Sequence, residues 1–213
     1  MKNTIEYFYN LKPKEIRKNK NEYLFEFDNK KYSFKECNRR LEEIQELYAL
    51  ESEVYYKNIY LHQIILNSNG EFITVVDNKN YILMRLFVSE NRKIELEDLL
   101  IFNRINLMNN YSFIARKNWR QLWIDKIDYI EYQINENNQK FNLFSLSVDY
   151  IIGLVENGIQ LLYNVDIENT SIAHIRINKN TRVKELYDPL NIIIDSNVRD
   201  ISEYLKDSLP FNI

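Results

Sequence analysis

Glycine is nearly absent from this chain: among 213 residues only Gly70, Gly153 and Gly158 are glycine. Loops that cradle phosphate need several close-set glycines, because the backbone must approach the anion or adopt positive φ. No G-x-G-x-x-G, no Walker-type G-x-x-x-x-G-K and no G-x-S-x-G segment can be written anywhere in the chain. Soft and imidazole metal ligands are as scarce. Cys37, His62 and His174 are too few and too scattered for the usual zinc frameworks. A lone cysteine forms no intramolecular disulfide, which predicts a reducing compartment, the cytoplasm. No apolar run reaches the ~20 residues that a membrane-spanning helix requires. The stretch Val148 to Leu162 is the nearest approach, and Asp149, Glu156 and Asn157 interrupt it. The first residues carry charge and aromatics without an apolar core, so no secretory leader is expected.

What is present is a strongly aromatic, well-mixed chain. Apolar residues make up 45% and aromatics 14%, with 16 Tyr and 11 Phe, which excludes whole-chain disorder. A globule of this length buries roughly 70% of its unfolded surface and needs no disulfide to be stable. Lys and Arg number 28 against 31 Asp and Glu, giving −3. That balance argues against nucleic acid as a partner.

Hydrophobic periodicity divides the chain in two. A short helix is expected over Thr4 to Leu11, ended by Pro13. From Glu15 to Phe34 the pattern alternates, with Tyr23, Phe25 and Phe27 on one face and a turn at Asp28-Asn29-Lys30, the mark of a hairpin or meander. Glu36 to Leu50 turns helical, with Cys37, Leu41, Ile44 and Tyr48 as its apolar stripe. Strands at Gln63 to Leu66 and Phe72 to Val76 flank Asn67-Ser68-Asn69-Gly70, which reads as a hairpin turn, and a third strand spans Tyr81 to Phe87. Beyond a boundary near Ser89 to Arg92 the pattern is mostly helical, giving an amino-terminal β-rich lobe over 1–88 and a reduced helical lobe over 89–213. Helices are expected at Glu95 to Met108, Trp119 to Ile134 and Phe144 to Tyr163. The second carries a stripe of Trp119, Trp123, Ile127, Ile130 and Ile134, and the tryptophans are expected to pack inward. The third is apolar around most of its circumference and is expected to be central, its glycines permitting close helix approach. Short strands at Ser171 to Ile177 and Asn191 to Ile194, then a helix over Val198 to Leu209, close the chain. The result is an α+β class with a small antiparallel five-stranded sheet and one helix, followed by a mostly helical lobe.

The carboxyl-terminal run sharpens this layout. His174-Ile175-Arg176-Ile177, then Leu186-Tyr187-Asp188-Pro189-Leu190-Asn191-Ile192-Ile193-Ile194-Asp195, then Arg199-Asp200-Ile201, resembles a degraded phosphotransferase segment. The intact segment has a catalytic His-x-Asp, a metal-binding Asp after a short strand, and a helix opening on Asp. The whole chain is similar to the two-lobed protein-kinase-like and aminoglycoside-phosphotransferase-like fold, and within it to the bacterial spore-coat kinase-like proteins. The resemblance implies that Lys35, at a strand end before a helix, stands where the ATP-binding lysine would be. It gives that lysine an acidic helix partner among Glu42, Glu43 and Glu46, and makes Asp188 or Asp195 the magnesium ligand. His174 and Arg176 fall on the catalytic loop.

The departures matter more. Arg176 is a permanent cation and cannot take a proton from a substrate hydroxyl. The loop asparagine that helps hold magnesium has no counterpart, because Asn178 and Asn180 stand in a Lys-containing turn. One carboxylate makes a poor ATP·Mg site. His174, alternating with apolar neighbours, reads as a structural histidine bonded to backbone, and Lys35 as an ordinary strand-end charge. Arg176 and Arg199 read as ion-pair partners of Asp188, Asp195 or Asp200 that hold the closing loop. Tyr55, Tyr56 and Tyr60 read as half-buried sheet residues, with an interaction patch as the other possibility. The leading expectation is a non-catalytic, pseudokinase-like binding or scaffold protein, without a cofactor, with a protein or a small molecule as ligand and with sporulation or envelope assembly as the setting. The alternatives are an ATP- and Mg²⁺-dependent small-molecule phosphotransferase and an α+β accessory protein unrelated to kinases.

Overall fold

The computed structural model describes residues 1–116, 119–136, 142–164 and 170–206, the side chains of 142–146 and of residue 164 excepted. Its elements run α1 (Lys2–Tyr9), β1 (Ile16–Asn19), β2 (Glu22–Phe27), β3 (Lys30–Glu36), α2 (Leu41–Tyr55), β4 (Gln63–Ile65), β5 (Thr74–Val76) and β6 (Lys79–Leu86). There follow α3 (Leu96–Asn103), α4 (Trp119–Glu136), α5 (Asn142–Leu161), β7 (Thr170–His174), the single turn α6 (Val183–Leu186), β8 (Ile192–Ser196) and α7 (Arg199–Lys206). The chain forms two compact units, Met1–Ala115 with Thr170–Ile213, and Arg116–Asn169.

In the first unit six antiparallel strands form the main sheet in the order β1-β2-β3-β6-β4, with β5 also on β6. The expected tight turns form as read. Asp28 and Asn29 (φ 51° and 57°) join β2 to β3, and Asp77 and Asn78 (φ 51° and 59°) join β5 to β6. Asp and Asn tolerate this left-handed region best among non-glycine residues, which favours the hairpin turn whose twist matches the strands. The Asn67-Gly70 segment departs from expectation. Its strands do not pair with each other; β4 pairs with residues 83–85 and β5 with 79–81, both along the same edge of β6. The turn chemistry itself is real, since the Asn67 side chain accepts from the amides of Asn69 and Glu71 at 3.0 Å and Gly70 takes φ 80°. It carries the chain along an edge instead of reversing it. Helix α1 likewise stops at Tyr9, before Pro13, where Asn10 turns left-handed (φ 54°) and its amide bonds back to Glu6.

Pleat alternation gives the sheet two different faces. Phe25, Tyr32, Phe34, Tyr81 and Leu83 pack under Ile5 and Tyr9 of α1. Ile82 and Met84, from the opposite face, join Ile64, the α2 residues Ile44, Leu47, Leu50 and Val54, then Leu99 and Phe102 of α3, and Ile172, Ile192 and Ile194 of the β7-β8 pair. One continuous core thus ties the sheet to the carboxyl-terminal strands. Helix α2 begins five residues later than its apolar spacing suggests, and Leu41 and Tyr48 of the expected stripe are exposed. Residues 37–40 stay out of the helix because Cys37 continues sheet bonding to Asn80 and Arg39 reaches across to the Leu190 and Ile192 carbonyls. Helices α2, α3 and α6 start alike: Glu43, Asp98 and Glu185 each accept from the backbone amide three residues earlier.

The second unit is a helix pair with a short 3₁₀ turn at Leu162–Asn164. Here two expectations are corrected. Helix α5 is not central: Val148 and Ile159 are buried, but Tyr150, Leu154 and Leu161 are more than half exposed. Among the described residues nothing lies within 4 Å of a Cβ built on Gly153 or Gly158, so neither glycine serves a close helix contact there. Trp123 is 39% exposed beneath the Lys126 ammonium rather than packed inward.

Candidate functional site

The sheet face turned away from α1 floors a cavity of about 1190 Å³ that lies wholly within the first unit. Register places Glu22 opposite Lys35, Leu24 opposite Ser33, and Ser33 opposite Met84, so these side chains line one face. Lys12, Lys14 and Lys20 stand among its other lining residues, and His62, Lys184, Glu185 and Asp188 complete it.

Lys35 is the chemical centre of this cleft. Its Nζ lies 2.5 Å from Asp188 Oδ2, and its side chain is 33% exposed. Burial works to lower the lysine pKa, but the Asp188 charge and hydrogen bond, with Glu22 and Glu185 behind them, outweigh it and raise it. Lys35 and Asp188, read from sequence as a nucleotide residue and a metal residue, are thus brought together as one pair. The other Asp188 oxygen, Oδ1, accepts from the Leu190 amide at 3.0 Å and caps the 3₁₀ turn at Pro189–Asn191. His62 sits in the same wall, 4% exposed, with its amide donating to Tyr187 O at 2.8 Å. Burial depresses its pKa against the pull of Asp188.

The helix acids expected beside Lys35 are committed elsewhere. Glu43 pairs with Arg39 at 3.2 Å and caps α2. Glu46 accepts from the amides of Ser112, Phe113 and Ile114 at 2.7, 2.8 and 2.9 Å. Those amides hold its carboxyl below the usual range despite the opposing effect of burial.

The catalytic-loop counterparts form a second, closed cluster around β7 and β8. His174 is fully buried; Nδ1 lies 2.6 Å from Asp200 Oδ2 and Nε2 lies 3.0 Å from Leu186 O. Its backbone amide donates to the other Asp200 oxygen at 3.1 Å, so both ring nitrogens and the amide are spent on structure. Arg176, just past the end of β7, is exposed. Asp195 is 1% exposed and pairs with Arg199 Nε at 3.1 Å, while its Oδ1 accepts from the Ser196 amide. Arg199 also donates to the carbonyls of His174 and Ile175 and lies 3.3 Å from Asp200. Of the two arginines expected to pair with Asp188, Asp195 or Asp200, Arg199 reaches Asp195 and Asp200, whereas Arg176 is exposed and Asp188 pairs with Lys35 instead.

Asp188 and Asp195, the two carboxylates expected to hold magnesium, belong to different clusters. Each candidate carboxylate already faces a cation, Asp188 on Lys35 and Asp195 on Arg199. Among the described residues no group of three or more His, Cys, Asp or Glu converges on a point where a metal ion could sit.

Two organising residues went unread in the sequence. Arg39 spans 151 and 153 positions to bond Leu190 O and Ile192 O, clasping α2 to the closing segment. Glu53 accepts from Met108 N at 2.7 Å, Asn109 Nδ2 at 2.7 Å and Tyr111 Oη at 2.8 Å. Burial opposes its ionisation, yet these donors and Lys57 bring its pKa down to about 2. The one clue to Glu53 is its place beside Val54 on the buried side of a helix. Tyr55, Tyr56 and Tyr60, expected half-buried in strands, instead lie outside them and are 57%, 86% and 44% exposed.

Comparison with solved structures returns the fold. Spectinomycin phosphotransferase APH(9)-Ia in its AMP-bound complex superposes with TM-score 0.62 at 12% identity, covering 95% of this chain and 72% of that one. Amicoumacin kinase hAmiN, in complex with AMP-PNP, Ca²⁺ and Ami, gives 0.55 at 13% identity over 99% and 70%. An aminoglycoside phosphotransferase from Alicyclobacillus acidocaldarius gives 0.59 at 8% identity over 92% and 68%. No curated protein sequence matches the chain. Among the described residues no helix is long and apolar enough to cross a membrane. The family described as spore coat putative kinase YutH matches residues 2–212, and the chain belongs to that family.

Proposed function

We propose that this protein is a non-catalytic, kinase-like binding protein of coat or envelope assembly that works in the cytoplasm, its sheet-side cleft holding a small ligand or a protein segment without transferring phosphate. The observation that carries this reading is the closed cluster at β7 and β8. Of the two carboxylates expected as the metal ligand, Asp195 is buried against Arg199 and Asp188 is paired with Lys35. Breaking the Asp195 pair to admit Mg²⁺ would leave a buried guanidinium beside a dication, at a cost of several kcal/mol. Arg176 adds a second obstacle, because a guanidinium cannot act as general base. The cleft over the sheet, by contrast, remains accessible and carries charged residues of both signs among its lining.

The phosphotransferase alternative draws support from one observation: the relatives of this fold include structures holding AMP and AMP-PNP. Family membership speaks against the third expectation, an accessory protein unrelated to kinases.

Melting titrations with ATP, ADP and GTP, each with and without Mg²⁺, separate the two readings. A ligand at 100 times its Kd adds roughly 2.7 kcal/mol to stability. The expected result is that any shift is the same with and without the metal. A Mg²⁺-dependent shift that Asp195→Asn removes would instead support phosphotransfer.

A further inference from the structure

The main sheet begins on an uncovered strand. β1 stands at the end of the strand order and pairs with β2, and among the described residues no strand bonds to its other side. Arg17, Lys18 and Asn19 are all exposed. Alternate residues of an outer strand turn their N–H and C=O groups to solvent, which makes the edge a template for one more strand.

Positive charge gathers around this edge. The segment 12–20 holds Lys12, Lys14, Arg17, Lys18 and Lys20 against Glu15, in a chain whose overall balance is −3. These cations are exposed, and none has a carboxylate within ion-pair reach among the described residues. Lys18 lies instead 5.9 Å from the centroid of the Tyr23 ring. The acids of the neighbouring strand are engaged within the sheet: Glu22 accepts from Asn19 and Ser33, and Glu26 stands opposite Lys31.

The two faces of the edge differ. Arg17, opposite Leu24, lines the cavity together with Lys12, Lys14 and Lys20. Ile16, opposite Phe25, falls on the other face, where it and Leu11 pack half-buried against the aromatic core under α1. A strand laid along β1 would meet cations on the cavity face and an apolar margin on the other. Edge lysines also keep a sheet from joining another like itself. The charges that repel a basic edge favour an acidic one.

We propose that β1 is a docking edge for an extended acidic segment of a partner protein, which adds as a further strand with acidic side chains towards Arg17 and apolar ones towards Ile16. The inference deepens the reading of the protein as a holder of a protein segment and rests on that part of it. Mg²⁺-dependent ADP formation would overturn the non-catalytic part and leave the peptide titration below unchanged.

The test is fluorescence anisotropy of a labelled eight-residue peptide alternating glutamate and valine, titrated with the full chain. It should bind, and the same peptide with lysine for glutamate should not. Lys14→Glu combined with Arg17→Glu should weaken binding roughly tenfold or more, whereas Lys18→Glu, on the other face, should change it less than about threefold. Lys14→Gln with Arg17→Gln replaces the double reversal if its melting curve shows a disturbed sheet. Two N-methylated peptides test the main-chain pairing, one methylated on every glutamate amide and one on every valine amide. Along a strand these two sets of amides point to opposite sides, so one peptide should lose binding and the other keep it. Absence of binding by the parent peptide overturns the proposal. So does equal binding by both methylated peptides, which would mark a surface that attracts any polyanion, and so does full affinity in the Lys14 and Arg17 variants.

Discussion

The cleft over the sheet and the β7-β8 cluster use the same charged residue types to opposite ends. In the cleft, Lys35 is 33% exposed and faces a cavity of about 1190 Å³, with Asp188 as its ion-pair partner among the described residues. At β7 and β8, His174, Asp195 and Asp200 are 0%, 1% and 7% exposed and are locked to Arg199, to a carbonyl and to one another. The difference separates a charge left facing a cavity from charges built into the framework of two strands and a helix. A charge that must meet a ligand has to remain displaceable; a charge that holds two strands and a helix together must not be.

Substitutions should sort along that contrast. The largest effect is expected from Asp200→Ala, which strips the buried His174 ring and amide of their carboxylate and leaves Arg199 with fewer acceptors. Breaking a buried pair typically costs about 3–5 kcal/mol, and urea denaturation should show a loss in that range. Glu53→Ala should follow, at about 2–3 kcal/mol for a carboxylate with several charge-assisted hydrogen bonds. Glu53 is held at about 2, below its ordinary 4.5, so its contribution is full above 4.5 and fades as pH falls toward 2. Wild type should therefore lose more stability between pH 5 and pH 2.5 than Glu53→Ala does.

Glu51, two residues away, has the opposite sign. Burial pushes it up to about 7 despite the hydrogen bond from the Ile64 amide. Its folded-state pKa exceeds the unfolded one, so stability is full below about 4.5 and declines as pH rises through 7. Glu51→Gln should remove a decline of about 2 kcal/mol between pH 5 and pH 8, read from denaturation midpoints. The smallest effect is expected at Lys35→Met. A partly exposed pair contributes less than about 1 kcal/mol, so its melting curve should nearly overlay that of wild type. A large loss there would erase the distinction between cleft and cluster.

Local chemistry was legible in the sequence wherever neighbours in the chain decide it. The β1-β2-β3 meander followed from alternation and from Asp28-Asn29, whose backbone preference fixes the turn without help. The sequence placed Arg199 among the partners of Asp188, Asp195 or Asp200, and the fold selects Asp195 and Asp200. Choices made by distant partners were not. Asn67-Gly70 announces a turn but cannot say that β6 will accept both flanking strands. The late start of α2 depends on Arg39 reaching residues 190 and 192. The apolar composition of α5 predicts burial, yet burial needs a partner surface, and Tyr150 stays 71% exposed. The Lys35–Asp188 pair has the same origin: both residues were marked in the sequence, but 153 positions apart nothing local joins them.

The most direct test of the account is ADP formation from Mg²⁺-ATP by the full chain, measured beside Asp195→Asn. With Asp195 committed to Arg199, the account predicts no ADP above the protein-free rate for either protein. ADP formation by wild type that requires Mg²⁺ and disappears in Asp195→Asn would contradict it, because that carboxylate would then be reaching the metal.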